Sequence, residues 1–477
     1  MLRLLGQSEY GLYQLVYSVV SYLGLLSLGF GASYMRFYSR EQTKGNPEGV
    51  ARLNGMFLLI FCAIAMICIG CGAVMVSNIK GIFGFGLSET EYPKARILMI
   101  LMVANLALTF PNSVFSCIIT SQERFLFQKT LILSQQLLNP FLTLPLLLMG
   151  YGSVGVVLVT TFLTVGVLAS NILFCFCRLH ARFCFRKLQF SLLKEMWVFT
   201  FFIFLNQIVD QINWSVDKFL LGRMLGTTAV AVYGVGGQIN SLYLQFSSSI
   251  SNVFIPKVNR IVAEHRSDEE LSDVFVKVGR IQFVVMALIL SGFVFFGRPF
   301  ISFWAGKEYD ESYAVTLLLI IPVTVPLIQN IGIEIQRAKN KHKARSFVYL
   351  LIAVANVGFS IPLIKLFGAF GAALGTAISL FAGNVIFMNW YYYSILGIDI
   401  PRFWRNIVSF LPALAIPILL GTASLMTFEY NTLLSLMVGI ALYGIVYFCS
   451  IYRFGLNQNE KDMIRRPLKK LFRSNHS

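Results

Sequence analysis

Thirteen mainly apolar runs constrain this chain most, each close to the roughly 20 residues that an α-helix needs to cross a bilayer. They centre on Tyr22, Ala65, Leu106, Thr143, Val165, Ile208, Asn240, Leu290, Thr324, Ala355, Ser379, Pro417 and Tyr443. Across 477 residues, 56% of positions are hydrophobic and 13% are charged, against about 45–50% and about 25% in a soluble domain. So little polar surface cannot coat a water-soluble globule of this size. The expected fold is therefore an all-α polytopic membrane protein with about 13 transmembrane helices. Disordered, collagenous and disulfide-scaffold classes are excluded.

Net charge is +17, but the cations sit in short connections between apolar runs, so it signals topology and not nucleic-acid binding. Every second connection, beginning after the first run, is basic: 35–54, 121–130, 178–194, 256–280, 336–346, 394–406 and the tail 453–477. Together they hold 30 of the 39 Lys and Arg residues, which assigns them to the cytoplasm and puts the C-terminus inside. Of eight cysteines, only Cys68 and Cys71 have a redox-like or zinc-like spacing. With no second pair and no nearby histidine, they read as small hydrophobes within a span.

The chain also repeats itself. At a shift of 220, Arg3-Leu4-Leu5-Gly6 falls on Arg223-Met224-Leu225-Gly226, Tyr13 on Tyr233 and Arg40 on Arg260. At 217, Asn139 meets Asn356 and Pro145 meets Pro362; at 216, Gly152 and Gly155 meet Gly368 and Gly371. Two copies with their basic loops on the same side make a parallel repeat. The expected organisation is an N-terminal lobe at 1–177, a basic cytoplasmic linker at 178–197 and a C-terminal lobe at 198–394. Two additional transmembrane helices at 395–453 and a basic cytoplasmic tail at 454–477 follow. The second lobe holds six spans and the first five, so the first helix of the first lobe is expected to be missing, through a late start site or a truncation.

Charges in hydrocarbon cost about 2.5–3.5 kcal/mol each, so polar residues inside spans call for a reason. Asn206, Asp210, Asn213 and Asp217 recur at intervals of four, three and four, on one face of the sixth span. Gln207 and Gln211 widen that face, and Lys218 and Arg223 follow it. Two readings stay open: the wall of a hydrated cavity between lobes, or a sealed polar contact. Glu334 and Arg337 in the ninth span can pair across one turn. Pro111, Pro140, Pro145, Pro322, Pro326, Pro362, Pro412 and Pro417 predict kinks, and Gly371 with Gly375 predicts close helix packing. There is no GxxxxGK[ST] phosphate loop and no HExxH, and no soluble stretch is long enough for a catalytic domain. No cofactor and no metal site are expected. A membrane transporter, not an enzyme, fits best.

Arg3-Leu4-Leu5-Gly6, Glu9-Tyr10-Gly11-Leu12-Tyr13, Leu28-Gly29-Phe30-Gly31 with Arg36, and Asp217-Lys218-Phe219-Leu220-Leu221-Gly222 together resemble bacterial polysaccharide-biosynthesis flippases. These carriers belong to the superfamily of multidrug, oligosaccharidyl-lipid and polysaccharide exporters. The resemblance implies flipping of an undecaprenyl-pyrophosphate-linked oligosaccharide to the outer leaflet by alternating access, for O-antigen, capsule or exopolysaccharide assembly. It implies a bacterial cytoplasmic (inner) membrane location. The implied partners are that substrate, membrane lipids, and a polysaccharide polymerase and glycosyltransferases of the same pathway. Arg36, Lys218, Arg223 and Arg337 become candidates for the pyrophosphate and Asn206, Asp210 and Asn213 for sugar hydroxyls, with Gln207 and Asp217 as further candidates to line the cavity. Asp210 and Glu334 are candidates for ion coupling. The alternatives are a multidrug cation antiporter, a lipid-II flippase, and a non-transporting membrane subunit of a polysaccharide synthase complex.

Overall fold

The structure is a computed structural model that describes residues 2–186, 191–339, 341, 343–458 and 460–462. Part of the 178–197 linker and most of the 454–477 tail lie outside the described residues. Among the described residues every regular element is helical. In order come α1 (Leu2–Leu5), α2 (Gln7–Val20), α3 (Phe30–Thr43), α4 (Pro47–Ser77), α5 (Ile79–Phe83) and α6 (Glu91–Ser121). Next are α7 (Phe125–Leu148), α8 (Gly152–Cys177), α9 (Ser191–Leu225), α10 (Thr227–Asn252), α11 (Ile255–Ala263) and α12 (Asp268–Trp304). The rest are α13 (Ser312–Ile328), α14 (Ile331–Ala338), α15 (Lys343–Leu380), α16 (Met388–Ser394), α17 (Ile400–Val408), α18 (Leu411–Thr427) and α19 (Leu433–Ser450).

Among the described residues seven helices are long and apolar enough to cross a membrane, or nine if each bent pair counts as one span. One of the seven runs from Phe347 to Ser394, over 48 residues. At 1.5 Å per residue that is about twice a hydrocarbon core, and the backbone breaks inside it, at Gly368 (φ 62°, ψ −135°). All thirteen predicted centres fall in helical segments. The bent pairs are α13 with α14 (47°) and α17 with α18 (41°). Pro322 and Pro326 lie inside α13 and Pro417 inside α18. Pro412 departs from expectation: it occupies the first turn of α18, where its missing N–H costs nothing, so it starts a helix without kinking one.

The chain packs as two compact units: Met1–Gly234 with Asn356–Ala372, and Val235–Ala355 with Ala373–Ser477. In the first unit α4 packs on α6, α6 on α8, and α8 on α7. Helix α6 buries Ala95, Leu98, Met102, Phe110, Val114 and Ile118, at helical spacing along one face. On α7 only Thr143 and Leu147 are buried, while Leu126, Leu133, Leu137, Phe141 and Leu148 are exposed, as suits a lipid-facing helix. Helices α2 and α10 approach closely. A Cβ on Gly11 would lie 1.9 Å from the Thr227 carbonyl oxygen, a backbone atom that cannot yield. Gly11→Ala is therefore expected to destabilise by about 1–3 kcal/mol through overpacking, while Gly24→Ala, with nothing within 4 Å, leaves stability unchanged. Thermal unfolding of the two purified variants checks this; equal melting would remove the claim of close contact.

Positions aligned by the repeat share local geometry. Gly6 and Gly226 (φ 75° and 92°) and Gly152 and Gly368 (φ 54° and 62°) are all left-handed, at junctions where a Cβ would strain the turn. Thr143 donates to the Asn139 side-chain oxygen at 3.3 Å, and Ser360 to that of Asn356 at 2.9 Å. The same i,i+4 hydrogen bond thus occurs at both ends of the 217-residue shift.

In the second unit α12 packs against α13, α17, α18 and α19. Its core joins Tyr243, Phe275, Met286, Ile331, Tyr392 and Phe403. Inside α12, Arg280 is only 5% exposed, and Glu460, beyond α19, 8%. The guanidinium Nε and Nη2 donate to the Glu460 carboxylate at 2.6 and 2.8 Å. Its remaining donors reach the Asn406 carbonyl (3.0 Å), the Ser409 hydroxyl (3.2 Å) and the Gly455 carbonyl (3.1 Å). Phe410 lies under it, 4.4 Å from ring centroid to guanidinium carbon. Sequence reading counted Arg280 among loop cations; in the fold it is a buried clasp.

Candidate functional site

The polar face of α9 lies along a helix otherwise rich in Phe, Ile, Leu and Val, and its members occupy different environments. Asp217 is fully buried. The Tyr233 hydroxyl donates to its Oδ2 at 2.8 Å and the Ser360 hydroxyl to its Oδ1 at 2.9 Å. Both donors belong to the same unit as α9, Tyr233 from α10 and Ser360 from α15. Asn213, one turn earlier, is also buried, at 6% exposure. Next to Asp217, the Lys218 ammonium donates to Gln14 Oε1 on α2 at 2.9 Å, and Gln14 Nε2 donates to the Tyr10 hydroxyl at 2.8 Å. Gln211 donates to the Ser21 and Ser215 hydroxyls.

Asp210 and Arg223, by contrast, are exposed. Gln207 is half-buried, and its Oε1 has no hydrogen-bond partner among the described residues. The Asn206 side chain lies outside the described residues. A carboxylate exposed midway along a helix of membrane length needs polar surroundings, which hydrocarbon does not supply. One helix thus offers exposed Asp210 next to a sealed group of Asn213 and Asp217.

The other predicted residues lie on separate elements. Arg36 is exposed on α3, just beyond a break in the first span. There α2 gives way to a 3₁₀ turn over Ser21–Ser27, and Leu28 and Gly29 are left-handed (φ 49° and 72°) before α3 begins. Arg337 pairs with Glu334 at 2.8 Å on α14, the one-turn pairing expected. Glu334 therefore already has a cation beside it. Among the described residues no three His, Cys, Asp or Glu side chains gather as metal ligands.

Sequence reasoning passed over a second polar group. Glu9 on α2 pairs with Lys94 on α6 and accepts from the Ser153 backbone N–H, at the start of α8, at 3.0 Å. Glu91 accepts from the Ser8 and Thr227 hydroxyls at 2.8 and 2.9 Å, and from the Ser88 N–H at 2.9 Å. These carboxylates tie together the starts of α2, α6, α8 and α10. Glu9 sits within the Glu9-Tyr10-Gly11 motif, and that motif was the one signal that could have found it.

Long apolar helices, two pairs of them sharply bent, make this a multi-pass membrane protein, and solved structures share the fold. The chain superposes on the lipid II flippase MurJ in its inward closed conformation with a TM-score of 0.74, at 16% identity, covering 97% of this chain and 95% of that one. An inward-facing multidrug resistance MATE family transporter gives 0.66 at 14% identity, covering 85% and 93%. At such identities the likeness speaks to fold alone. The chain belongs to the polysaccharide biosynthesis protein family, whose model matches residues 1–262.

Named relatives agree with that family. The capsular polysaccharide biosynthesis protein CapF of Staphylococcus aureus is 25% identical over 42% of this chain, which spans 50% of that protein. The membrane protein EpsK of Bacillus subtilis is 22% identical over 86% of this chain and 82% of its own length. A putative O-antigen transporter of Shigella flexneri is 19% identical over 82% and 91%. The chain thus has a flippase-type transport role in polysaccharide biosynthesis, not an enzymatic one.

Proposed function

We propose that this chain moves an undecaprenyl-pyrophosphate-linked oligosaccharide from the cytoplasmic to the outer leaflet of a bacterial inner membrane, by alternating access. The product would feed O-antigen, capsule or exopolysaccharide assembly, with glycosyltransferases upstream and a polymerase downstream. The polyprenyl tail is at home in lipid, while the pyrophosphate and sugars would lose their hydrogen-bond partners in hydrocarbon. The protein need only supply a wet path for the headgroup. The observation that carries this reading is Asp210, exposed on the polar face of α9.

In this reading Arg36, Arg223 and Arg337 hold the pyrophosphate by forked hydrogen bonds, and Lys218 by charge. Asn206 and Gln207 take sugar hydroxyls, and the buried Asn213 and Asp217 hold α9 in place for them. Asp210 and Glu334 are the groups placed to couple an ion. The two repeats, 1–177 and 198–394, are the moving lobes, with the tail on the cytoplasmic side.

Cysteine accessibility tests the wet face. In a cysteine-free background, Asp210→Cys is expected to react with a membrane-impermeant thiol reagent. Val209→Cys and Leu221→Cys, at 3% and 0% exposure, are expected to stay silent. Reaction of Asp210→Cys with lipid-soluble maleimides alone would place that face in hydrocarbon and end the proposal.

A further inference from the structure

The basic end of the first unit carries a second recess, separate from the α9 face. It is a cavity of about 410 Å³ among the ends of α3, α4 and α6 and the extended segment after α8. Three of the basic connections, 35–54, 121–130 and 178–194, supply its lining, so they share one side of the unit. Its floor is apolar, with Val50 and Ile118, its rim carries Gln42, Gln122, His180 and Arg182, and the Gln122 amide donates to the buried Tyr38 hydroxyl at 3.3 Å.

The wall is fixed in place. The Cys184 N–H donates to the Ala51 carbonyl at 2.8 Å, and Asn54 Nδ2 donates to the Arg182 carbonyl at 3.0 Å. Tyr34 holds Asn54 in turn, its hydroxyl donating at 2.6 Å. Gly55 permits this contact, since a Cβ there would lie 2.3 Å from the Cys184 carbonyl oxygen. His180 is left-handed (φ 48°) and closes the end of α8, with the Ala181 N–H donating to the Cys175 carbonyl at 2.9 Å, which fixes the start of the extended segment. Gly45, Asn46 and Pro47 bring the positive end of α4 to the same recess. The field is cationic: residues 35–54, 121–130 and 178–186 hold nine Lys or Arg and three Glu. Arg40, Lys44 and Arg52 pair with Glu41 and Glu48, whereas Arg182 has no ion pair among the described residues.

We propose that this pocket binds an anionic sugar, a phosphorylated or carboxylated pyranose. The apolar floor suits the C–H face of the ring. Gln42 and the Gln122 side-chain oxygen suit its hydroxyls, and Arg182 with His180 its anion. The volume lies within the usual range for small-ligand pockets, about 300–1,000 Å³. Such a sugar has two sources: the glycan of the lipid-linked substrate, which rests on the flippase reading, or a free sugar phosphate, which does not.

Binding of labelled glucose 1-phosphate and labelled glucose to the full chain in phosphatidylcholine nanodiscs tests it, with no transport required. Glucose 1-phosphate is expected to bind saturably, and neutral glucose roughly tenfold or more weaker, the worth of one charge-assisted hydrogen bond. Arg182→Leu is expected to remove that difference, and Gln122→Leu to weaken both sugars. Displacement by undecaprenyl-pyrophosphate-linked oligosaccharide identifies the lipid-linked glycan as the source; its absence identifies the free sugar phosphate. No saturable binding of glucose 1-phosphate or glucuronate to monodisperse protein overturns the site. Binding that both substitutions leave unchanged overturns it too.

Discussion

Arg280→Ala is expected to cost about 3–5 kcal/mol, because it removes one partner of a buried ion pair and leaves the other charge uncompensated. The Glu460 carboxylate, 8% exposed, would keep only the Asn457 N–H at 2.9 Å among its described partners. The Asn406 and Gly455 carbonyls would each lose a donor, and Phe410 its stacked cation. Arg280→Lys keeps the charge without the planar fork, so it should fall between wild type and alanine. The exposed Arg266–Glu270 pair is the contrast: Arg266→Ala should leave melting almost unmoved. Fluorescence-detected size exclusion after heating reads all three variants. An Arg280→Ala protein that melts with the wild type would show that the clasp does not hold the fold.

The second large effect belongs to Asp217. Alanine there takes from the Tyr233 hydroxyl the Oδ2 acceptor that lies 2.8 Å from it. Ser360 retains Asn356 Oδ1 at 2.9 Å as an alternative acceptor. An unsatisfied buried donor costs about 1–3 kcal/mol, and a void where the carboxylate stood adds to it. Asp217→Asn keeps one oxygen for Tyr233 and should be milder, and Ser360→Ala milder still. The expected order in both melting point and transport is wild type, then Ser360→Ala, Asp217→Asn and Asp217→Ala. Because Asp217 sits beside Lys218 on α9, transport should fall further than stability alone accounts for, which a comparison at matched folded amounts reveals. Unchanged transport in Asp217→Ala would remove Asp217 from the account.

The sequence revealed the spans because apolar runs of membrane length allow few other structures. It also paired Gly6 with Gly226 and Gly152 with Gly368, all four of which have positive φ, though the pair Gly155 and Gly371 does not. Which face of each helix points inward was not legible. In a bilayer both the core and the lipid side are apolar, so the exposed stripe of α7 reads like the buried stripe of α6. Helical spacing placed Asp210 and Asp217 together, yet one is exposed and the other sealed. The difference comes from Tyr233 and Ser360, the latter 143 positions away in sequence. Likewise Arg280 and Glu460 are 180 positions apart, and no local pattern joins them. Short-range periodicity gives elements, while partner choice for buried polar groups is a tertiary outcome.

The most direct measurement reconstitutes the full chain into vesicles carrying a fluorescent undecaprenyl-pyrophosphate-linked oligosaccharide and follows the label reached by an external quencher. With the protein present, the protected inner-leaflet fraction should become accessible, and Asp217→Ala at equal folded amount should slow that loss. A protected fraction that persists in vesicles containing folded, correctly inserted protein would contradict the transport account.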